Sequence, residues 1–83
     1  MEVFPANELV LKKLKKYGLA RKYSKQIKLL ESNIYHPRLN VELLEPKKMG
    51  IYSFRVDRKY RVIFIFRNKN ELIEVLNVTV HYN

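Results

Sequence analysis

The strongest structural signal in this sequence is an alternation of apolar and polar side chains that begins after Gly50. Alternate positions are apolar in residues 52–56 and 62–66, and a third apolar run covers residues 72–80. The positions expected on the apolar side are Tyr52, Phe54, Val56, Val62, Phe64, Phe66, Leu72, Leu76, Val78 and Val80. A two-residue period indicates strands, so this half predicts an antiparallel meander with one packed face and one open face. Glu74 falls on the apolar side, which a β-bulge would explain.

The first half of the chain shows helical periodicity instead. Asn7 is a suitable N-cap for a helix that runs to about Lys16, and Gly18 is a suitable left-handed stop. A second helix is expected over residues 20–32, with an apolar stripe formed by Leu19, Tyr23, Ile27 and Leu30. A short strand is expected in residues 1–4, and residues 33–49 are expected to be irregular. The predicted fold class is α+β, in the order β-α-α-β-β-β, with the helical hairpin packed on one face of a small sheet.

Length and composition limit the functional classes. Eighty-three residues predict one domain, residues 1–83, and the longest apolar run is far too short to span a membrane. No basic-then-apolar segment typical of a secretory signal stands at the N-terminus. The chain has no cysteine, which excludes disulfides, thiol catalysis and cysteine-based zinc sites. We therefore expect a cytoplasmic protein, and no metal or other cofactor is expected.

Charge is the second constraint on function. The chain has seventeen Lys and Arg against eight Asp and Glu, a net charge of +9, which favours a polyanionic partner. Eight basic residues and no acidic ones fall within residues 12–28. These candidates for RNA or ribosome binding are Lys12, Lys13, Lys15, Lys16, Arg21, Lys22, Lys25 and Lys28. The simpler alternative is a solvated helix face.

The turn between the first two strands of the meander decides which polar side chains share the open face. A three-residue turn that pairs Asp57 with Arg61 places Arg55 opposite Ile63 and leaves both arginines on the open face. His81 has the same parity near the end of the last strand. A two-residue turn would bury an unpaired Arg61 charge in the core, which is costly.

Two guanidiniums and an imidazole suit a phosphate that must be held and then attacked. RNA cleavage needs a base for the 2′-hydroxyl, cations for the phosphorane and an acid for the leaving 5′-oxygen. His81 is the candidate acid and the arginines are the candidate clamp, while the candidate bases are Glu42, Glu45 and Asp57. An exposed strand with two arginines is also compatible with a merely solvated surface.

Residues 50–64, from Gly50 to Phe64, resemble the signature of the RelE/ParE superfamily of toxins. In that signature a glycine and an aromatic residue open a strand that ends in arginine, and an Arg followed by an apolar run comes after the turn. Residues 33–39 resemble a second segment common in the superfamily. The resemblance covers essentially the whole chain, and the element order matches.

Within the superfamily, the chain is most similar to the YoeB/Txe branch. Glu42 stands eight residues before Gly50, and the sequence carries a His81–Tyr82 pair near its end. The resemblance implies a ribosome-dependent messenger RNA endoribonuclease that is neutralised by an acidic antitoxin, with the free toxin a monomer or weak dimer. It further implies that Glu42 is the general base, His81 the general acid, Arg61 with Arg55 the phosphorane clamp, and Tyr82 the residue that orients the nucleotide.

Two departures and two alternatives accompany this hypothesis. Asn83 follows the His81–Tyr82 pair, and the residues after Glu42 differ from the expected order. ParE-like members share the fold but poison DNA gyrase, so the fold alone does not imply RNA cleavage. The first alternative is therefore a gyrase-inhibiting toxin without nuclease activity, and the second is an inactive RNA-binding relative.

Overall fold

The computed structural model of the chain describes residues 1–80, which form two helices on one face of a five-stranded sheet. The strands are β1 (Glu2–Val3), β2 (Glu42–Leu43), β3 (Ile51–Arg55), β4 (Tyr60–Arg67) and β5 (Leu72–Val80), and the helices are α1 (Glu8–Lys16) and α2 (Ala20–Ser32). Pro37–Leu39 and Lys47–Met49 form single turns of 3₁₀ helix. The sheet order is β1-β5-β4-β3-β2. The predicted α+β class and the hairpin on one sheet face are confirmed.

The helical hairpin forms where the sequence places its start and stop signals. The side-chain oxygen of Asn7 accepts a hydrogen bond from the backbone nitrogen of Val10 at 2.9 Å, which caps α1. Gly18 follows the end of α1 with a φ of 67°, in the left-handed region that glycine tolerates best. Leu14 of α1 is fully buried, and so are Leu19 and Leu30 of the stripe predicted for the second helix, so that stripe faces the core as predicted.

The core lies between this hairpin and the sheet. Phe54 and Phe64 are completely buried at its centre, with ring centroids 5.8 Å apart. Tyr17, the C-cap of α1, stacks on Tyr60 at the start of β4, with ring centroids 4.8 Å apart. This contact attaches the helical hairpin to the sheet. Each fully buried large apolar side chain contributes about 1.5–3 kcal/mol relative to exposure, so this shared aromatic core fixes the sheet that carries the candidate site.

A β-bulge is present in β5, as Glu74 suggested. Because of it, the residues that precede the bulge lie on the opposite faces from those predicted. The pairing of β4 with β5 shifts between Ile63 and Phe64, so Leu76 has no direct partner. Before the bulge, Ile73 and Val75 are the buried residues, whereas the prediction placed Leu72 and Leu76 in the core. Leu72 instead pairs with Arg67 on the sheet face away from the helices, and Leu76 is exposed. Glu74 lies on that same face.

Two short strands differ from the sequence prediction: one was not predicted, and the other pairs in the parallel direction. Residues 33–49 were expected to be irregular, but Glu42–Leu43 pairs with β3 and forms an edge strand. The first strand is present, yet it pairs parallel with β5, so the sheet is mixed rather than wholly antiparallel. Neither helix in the described part of the chain has the length and apolar character needed to cross a membrane.

Candidate active site

Three of the predicted site residues share the sheet face that points away from the helices, called here the outer face. Residues directly opposite each other in paired strands lie on the same face. Glu42 of β2 is opposite Ser53 of β3, and Arg55 of β3 is opposite Arg61 of β4. Arg61 is in turn opposite Thr79 of β5. The outer face therefore brings together one carboxylate and two guanidinium groups from three neighbouring strands.

The predicted register of the hairpin between β3 and β4 is wrong by two residues. Arg55, the last residue of β3, was predicted to lie opposite Ile63, but it lies directly opposite Arg61. The turn consists of residues 57–59. Asp57 begins this turn: its Oδ1 accepts hydrogen bonds from the backbone nitrogens of Lys59 and Tyr60, both at 2.9 Å. These bonds favour the observed register because they satisfy amide groups of the turn. The predicted parity still holds, since a two-residue shift keeps both arginines on one face.

Asp57 is therefore a turn residue rather than a candidate base. Its Oδ2 also accepts a hydrogen bond from Lys22 Nζ of α2 at 3.2 Å. Partial burial pushes the pKa of Asp57 upward, but the amide hydrogen bonds from Lys59 and Tyr60 and the ion pair with Lys22 outweigh it and lower the pKa. The two amide hydrogen bonds close the turn, and the bond from Lys22 holds the hairpin against α2.

Arg61 is buried, which contradicts its predicted position on an open surface. Only 4% of the residue is exposed. Its Nε donates to Ser53 Oγ at 2.9 Å, and its Nη2 donates to the carbonyl oxygens of Ser53, at 3.2 Å, and Asn40. The guanidinium thus lies across β3, and the carbonyl that covers it comes from the segment just before β2. The alternation of side chains along a strand predicts the sheet face on which Arg61 lies. It does not predict which backbone carbonyl from a distant part of the chain covers the guanidinium.

The remaining guanidinium nitrogen, Nη1, is buried and has no hydrogen-bond partner among residues 1–80. Burial lowers the pKa of Arg61, the charge of Glu42 opposes this effect, and the charge of Arg55 adds to it. An arginine remains protonated despite such shifts. The site therefore holds a fixed positive charge with one donor unused by the described residues.

Glu42, rather than Glu45, occupies the outer face. Glu42 is the first residue of β2, and its Oε1 accepts a hydrogen bond from Asn40 Nδ2 at 3.4 Å. Glu45 lies beyond the end of β2, in the connection to β3. The structure thus separates the two glutamates that the sequence left as alternatives, because only Glu42 belongs to a strand that pairs beside Ser53.

Arg55 is the exposed member of the arginine pair. Its backbone carbonyl accepts a hydrogen bond from Gln26 Nε2 at 2.6 Å, and the same amide nitrogen donates to the carbonyl of Arg38 at 3.1 Å. Gln26 is buried on α2, so it fixes the end of β3 against the helix. Two like charges directly opposite each other in a sheet are unfavourable, and an anion bound between them would offset that cost.

Sequence reasoning missed the residues that support this site. Ser53, Asn40 and Gln26 hold the arginines through hydrogen bonds, but only Ser53 gave a signal, because its polar side chain alternates onto the outer face. The predicted acid His81 and the predicted orienting residue Tyr82 lie outside the described residues. They directly follow Val80, the last residue of β5.

The eight predicted RNA-binding residues do not form one uniform surface. Lys13 Nζ donates to Asn77 Oδ1 at 2.8 Å, and Lys22 is paired with Asp57. Lys13 is half-buried, whereas Lys22 and the other six are exposed on the hairpin: Lys12, Lys15, Lys16, Arg21, Lys25 and Lys28. Within residues 1–80, no group of three or more His, Cys, Asp and Glu side chains is arranged to hold a metal ion.

Comparison with known structures finds the same architecture in several toxins. A YoeB/ParE toxin from Agrobacterium tumefaciens matches with a TM-score of 0.73 at 15% identity, over 99% of this chain and 100% of that one. The archaeal RelE–RelB complex from Pyrococcus horikoshii OT3 contains a chain that matches with a TM-score of 0.73 at 24% identity, over 95% and 92% of the two chains. A chain of the YoeB–YefM complex from Staphylococcus aureus matches with a TM-score of 0.69 at 16% identity, over 99% and 98%. At these identities the likeness concerns the fold.

Sequence comparison supplies the family. No curated protein matches the sequence. The fold is the one shared by these toxins. A sequence model described as "RelE-like toxin of type II toxin-antitoxin system HigB" matches residues 9–82, which confirms the predicted superfamily. The chain belongs to this HigB-like toxin family.

Proposed function

We propose that this toxin is an endoribonuclease that cleaves messenger RNA on the ribosome without a metal ion and thereby inhibits translation in the cytoplasm. The observation that supports this proposal best is the arginine pair on the outer face, Arg55 directly opposite Arg61, with Glu42 on the neighbouring edge strand. Two fixed positive charges beside one carboxylate suit the binding and attack of a phosphodiester.

In the proposed reaction, Glu42 takes the proton of the 2′-hydroxyl while that oxygen attacks the adjacent phosphorus. Negative charge then builds on the phosphorane. Arg55, which is exposed, contacts the phosphate, and the buried Arg61 supplies a second, preorganised positive charge. The bond to the 5′-oxygen breaks, and His81 protonates that leaving group. The products are a 2′,3′-cyclic phosphate and a 5′-hydroxyl end, so atoms and charge balance without a cofactor. Tyr82 is proposed to orient the nucleotide.

The proposed partners follow from family and charge. Membership in a type II toxin–antitoxin family implies a protein antitoxin, and the net charge of +9 favours an acidic one. The exposed basic residues of the helical hairpin also favour attraction to ribosomal RNA. Complexes named RelE–RelB and YoeB–YefM among the similar structures are consistent with such pairing.

The test is a reconstituted translation reaction in which the 5′ ends of the message are mapped. Wild-type protein is expected to cut the message within the ribosomal A site, and both Arg55→Gln and His81→Ala are expected to reduce cleavage strongly. Arg58→Gln is the matched control because Arg58 is an exposed turn residue with the same charge. An intact message under wild-type protein that still arrests cell growth would contradict the nuclease and direct the work to gyrase. A protein that neither cuts RNA nor arrests growth would indicate an inactive relative.

A further inference from the structure

A groove lies between α1 and β5, and neither arginine of the outer face lines it. Its volume is about 470 Å³. The groove is lined by Asn7 and by Leu9, Val10, Lys12, Lys13 and Lys16 of the helix, and from β5 by Leu76 and Asn77. Of the residues proposed for RNA cleavage, the three that the structure describes are Glu42, Arg55 and Arg61, and none of them lines this groove, so it requires a separate explanation.

Two leucines give the groove an apolar centre. Leu9 is 74% exposed although Val10 next to it is fully buried, because successive helical residues lie about 100° apart and Leu9 therefore stands beside the core stripe of α1 rather than on it. Leu76 is 38% exposed because the β-bulge removes it from the core face of β5. Single exposed leucines are ordinary, but two that face one groove form a patch that a partner can bury.

The charges around this apolar centre are all positive. Lys12 and Lys16 lie one helical turn apart on the exposed side of α1. Lys13 Nζ donates to Asn77 Oδ1 at 2.8 Å and to the carbonyl of Val78 at 3.4 Å. Lys13 therefore fixes the helix against β5. In the described part of the chain, no acidic side chain lines the groove. The groove is therefore complementary to a segment that combines carboxylates with an apolar side chain.

We propose that this groove is a docking surface for an acidic segment of the toxin's own antitoxin, and the assignment rests on the antitoxin partnership proposed above. An apolar side chain of the segment packs between Leu9 and Leu76, and its carboxylates pair with Lys12 and Lys16. A protein segment fits better than RNA, because a phosphate backbone would face the two leucines without an apolar group to bury them. Lys13 already occupies the edge carbonyl of Val78, so the segment lies over the groove rather than joining the sheet as a sixth strand.

The test compares one substitution at two neighbouring leucines of α1. Leu9→Glu places a negative charge in the groove, whereas Leu11→Glu makes the same change at a residue that is also exposed, by 52%, but does not line the groove. We expect Leu9→Glu to weaken binding of the purified antitoxin to the full-length toxin by about tenfold or more. Leu11→Glu should stay within about twofold of the wild type.

A second variant and a functional readout keep the result interpretable. Leu76→Glu approaches the same groove from β5 and should weaken antitoxin binding in parallel with Leu9→Glu. Both groove variants should still arrest growth, and co-expressed antitoxin should rescue the cells less well than it rescues cells with the wild-type toxin. Circular dichroism and urea unfolding of each variant test whether the chain remains folded.

The outcomes separate this inference from the proposed function. Antitoxin affinity that is equal for Leu9→Glu, Leu76→Glu and Leu11→Glu would overturn the docking surface even if RNA cleavage is confirmed. Weakened binding to a short single-stranded RNA with unchanged antitoxin binding would also overturn it and assign the groove to RNA. Weakened antitoxin binding supports the surface whether or not the toxin proves to be a nuclease, since binding is measured without any cleavage step.

Discussion

At the residue scale, the candidate site depends on a hydroxyl that the sequence presents as an ordinary strand residue. Ser53 is 1% exposed, and its Oγ accepts the hydrogen bond from Arg61 Nε at 2.9 Å. A buried charged donor that loses its acceptor is expensive, because the desolvated nitrogen is left without a hydrogen bond. Ser53 thus stabilises the guanidinium position on which the proposed chemistry relies.

We expect Ser53→Ala to lower the free energy of unfolding by about 1–3 kcal/mol, the usual cost of an unsatisfied buried group. Urea unfolding of the variant measures this loss. The matched comparison is the same change in an Arg61→Met background, where no guanidinium remains and Ser53→Ala should cost much less. Equal costs in both backgrounds would show that Ser53 does not act through Arg61. RNA cleavage by Ser53→Ala should also fall.

Asp57 gives a pH-dependent prediction. Its pKa is lowered in the folded protein by hydrogen bonds and by Lys22, which together outweigh desolvation. A group with a lowered folded pKa contributes stability above its unfolded pKa, near 3.9 for aspartate, and that stability is lost as the pH falls through the folded pKa. Asp57→Asn keeps a side-chain oxygen for the turn but removes the charge.

Wild-type protein should therefore exceed Asp57→Asn in unfolding free energy at pH 6, and the difference should shrink as the pH is lowered toward 2. Urea midpoints of the two proteins at several pH values measure this. A difference that is independent of pH would mean that the carboxylate charge contributes nothing and that Asp57 acts only as a hydrogen-bond acceptor.

At the scale of elements, the helices and the long strands followed from local patterns, whereas the two-residue strand β2 did not. Nine and thirteen residues of α1 and α2 carry enough turns for an apolar stripe to be visible. The two residues of β2 carry no period at all, and their strand exists because the chain returns beside β3. The position of the bulge was likewise set by pairing with β4 rather than by the sequence of β5.

The connection between β2 and β3 depends on Gly50, which has a φ of 66°. No atom lies within 4 Å of the place that a Cβ would occupy, so a side chain there meets no steric obstacle. Gly50→Ala is expected to lower the unfolding free energy by about 1 kcal/mol because alanine disfavours left-handed backbone. Gly50→Asn should cost less, since asparagine tolerates that region. Urea unfolding distinguishes them, and equal stability of all three proteins would contradict a conformational cause.

At the scale of the whole molecule, sequence predicted the architecture and the set of charged candidates better than it predicted their surroundings. Parity placed Arg55 and Arg61 on one face even though the assumed register was wrong, because a shift of two residues preserves the face. Burial of Arg61 could not be predicted, since Asn40, which covers it, is 21 residues away in the chain. Nonlocal contacts of this kind leave no periodic signal in the sequence.

The net charge of +9 also acts on the whole molecule, and it raises the question of whether the helical hairpin contacts RNA or only attracts it. Contacts with phosphates release counterions, so the logarithm of affinity falls with the logarithm of salt concentration by about 0.7 per phosphate contact on a single strand. A distant charge contributes to the general field without adding to the number of contacts. Salt titration therefore separates the two cases.

Lys25→Gln on α2 and Lys69→Gln in the turn between β4 and β5 each remove one exposed charge. If the hairpin binds RNA, Lys25→Gln should reduce the salt slope for a single-stranded RNA by about 0.7. Lys69→Gln should lower affinity slightly and leave the slope unchanged, and fluorescence anisotropy over a range of salt concentrations measures both. Identical slopes for the two variants would show that the basic hairpin attracts the nucleic acid only through the general field of the protein.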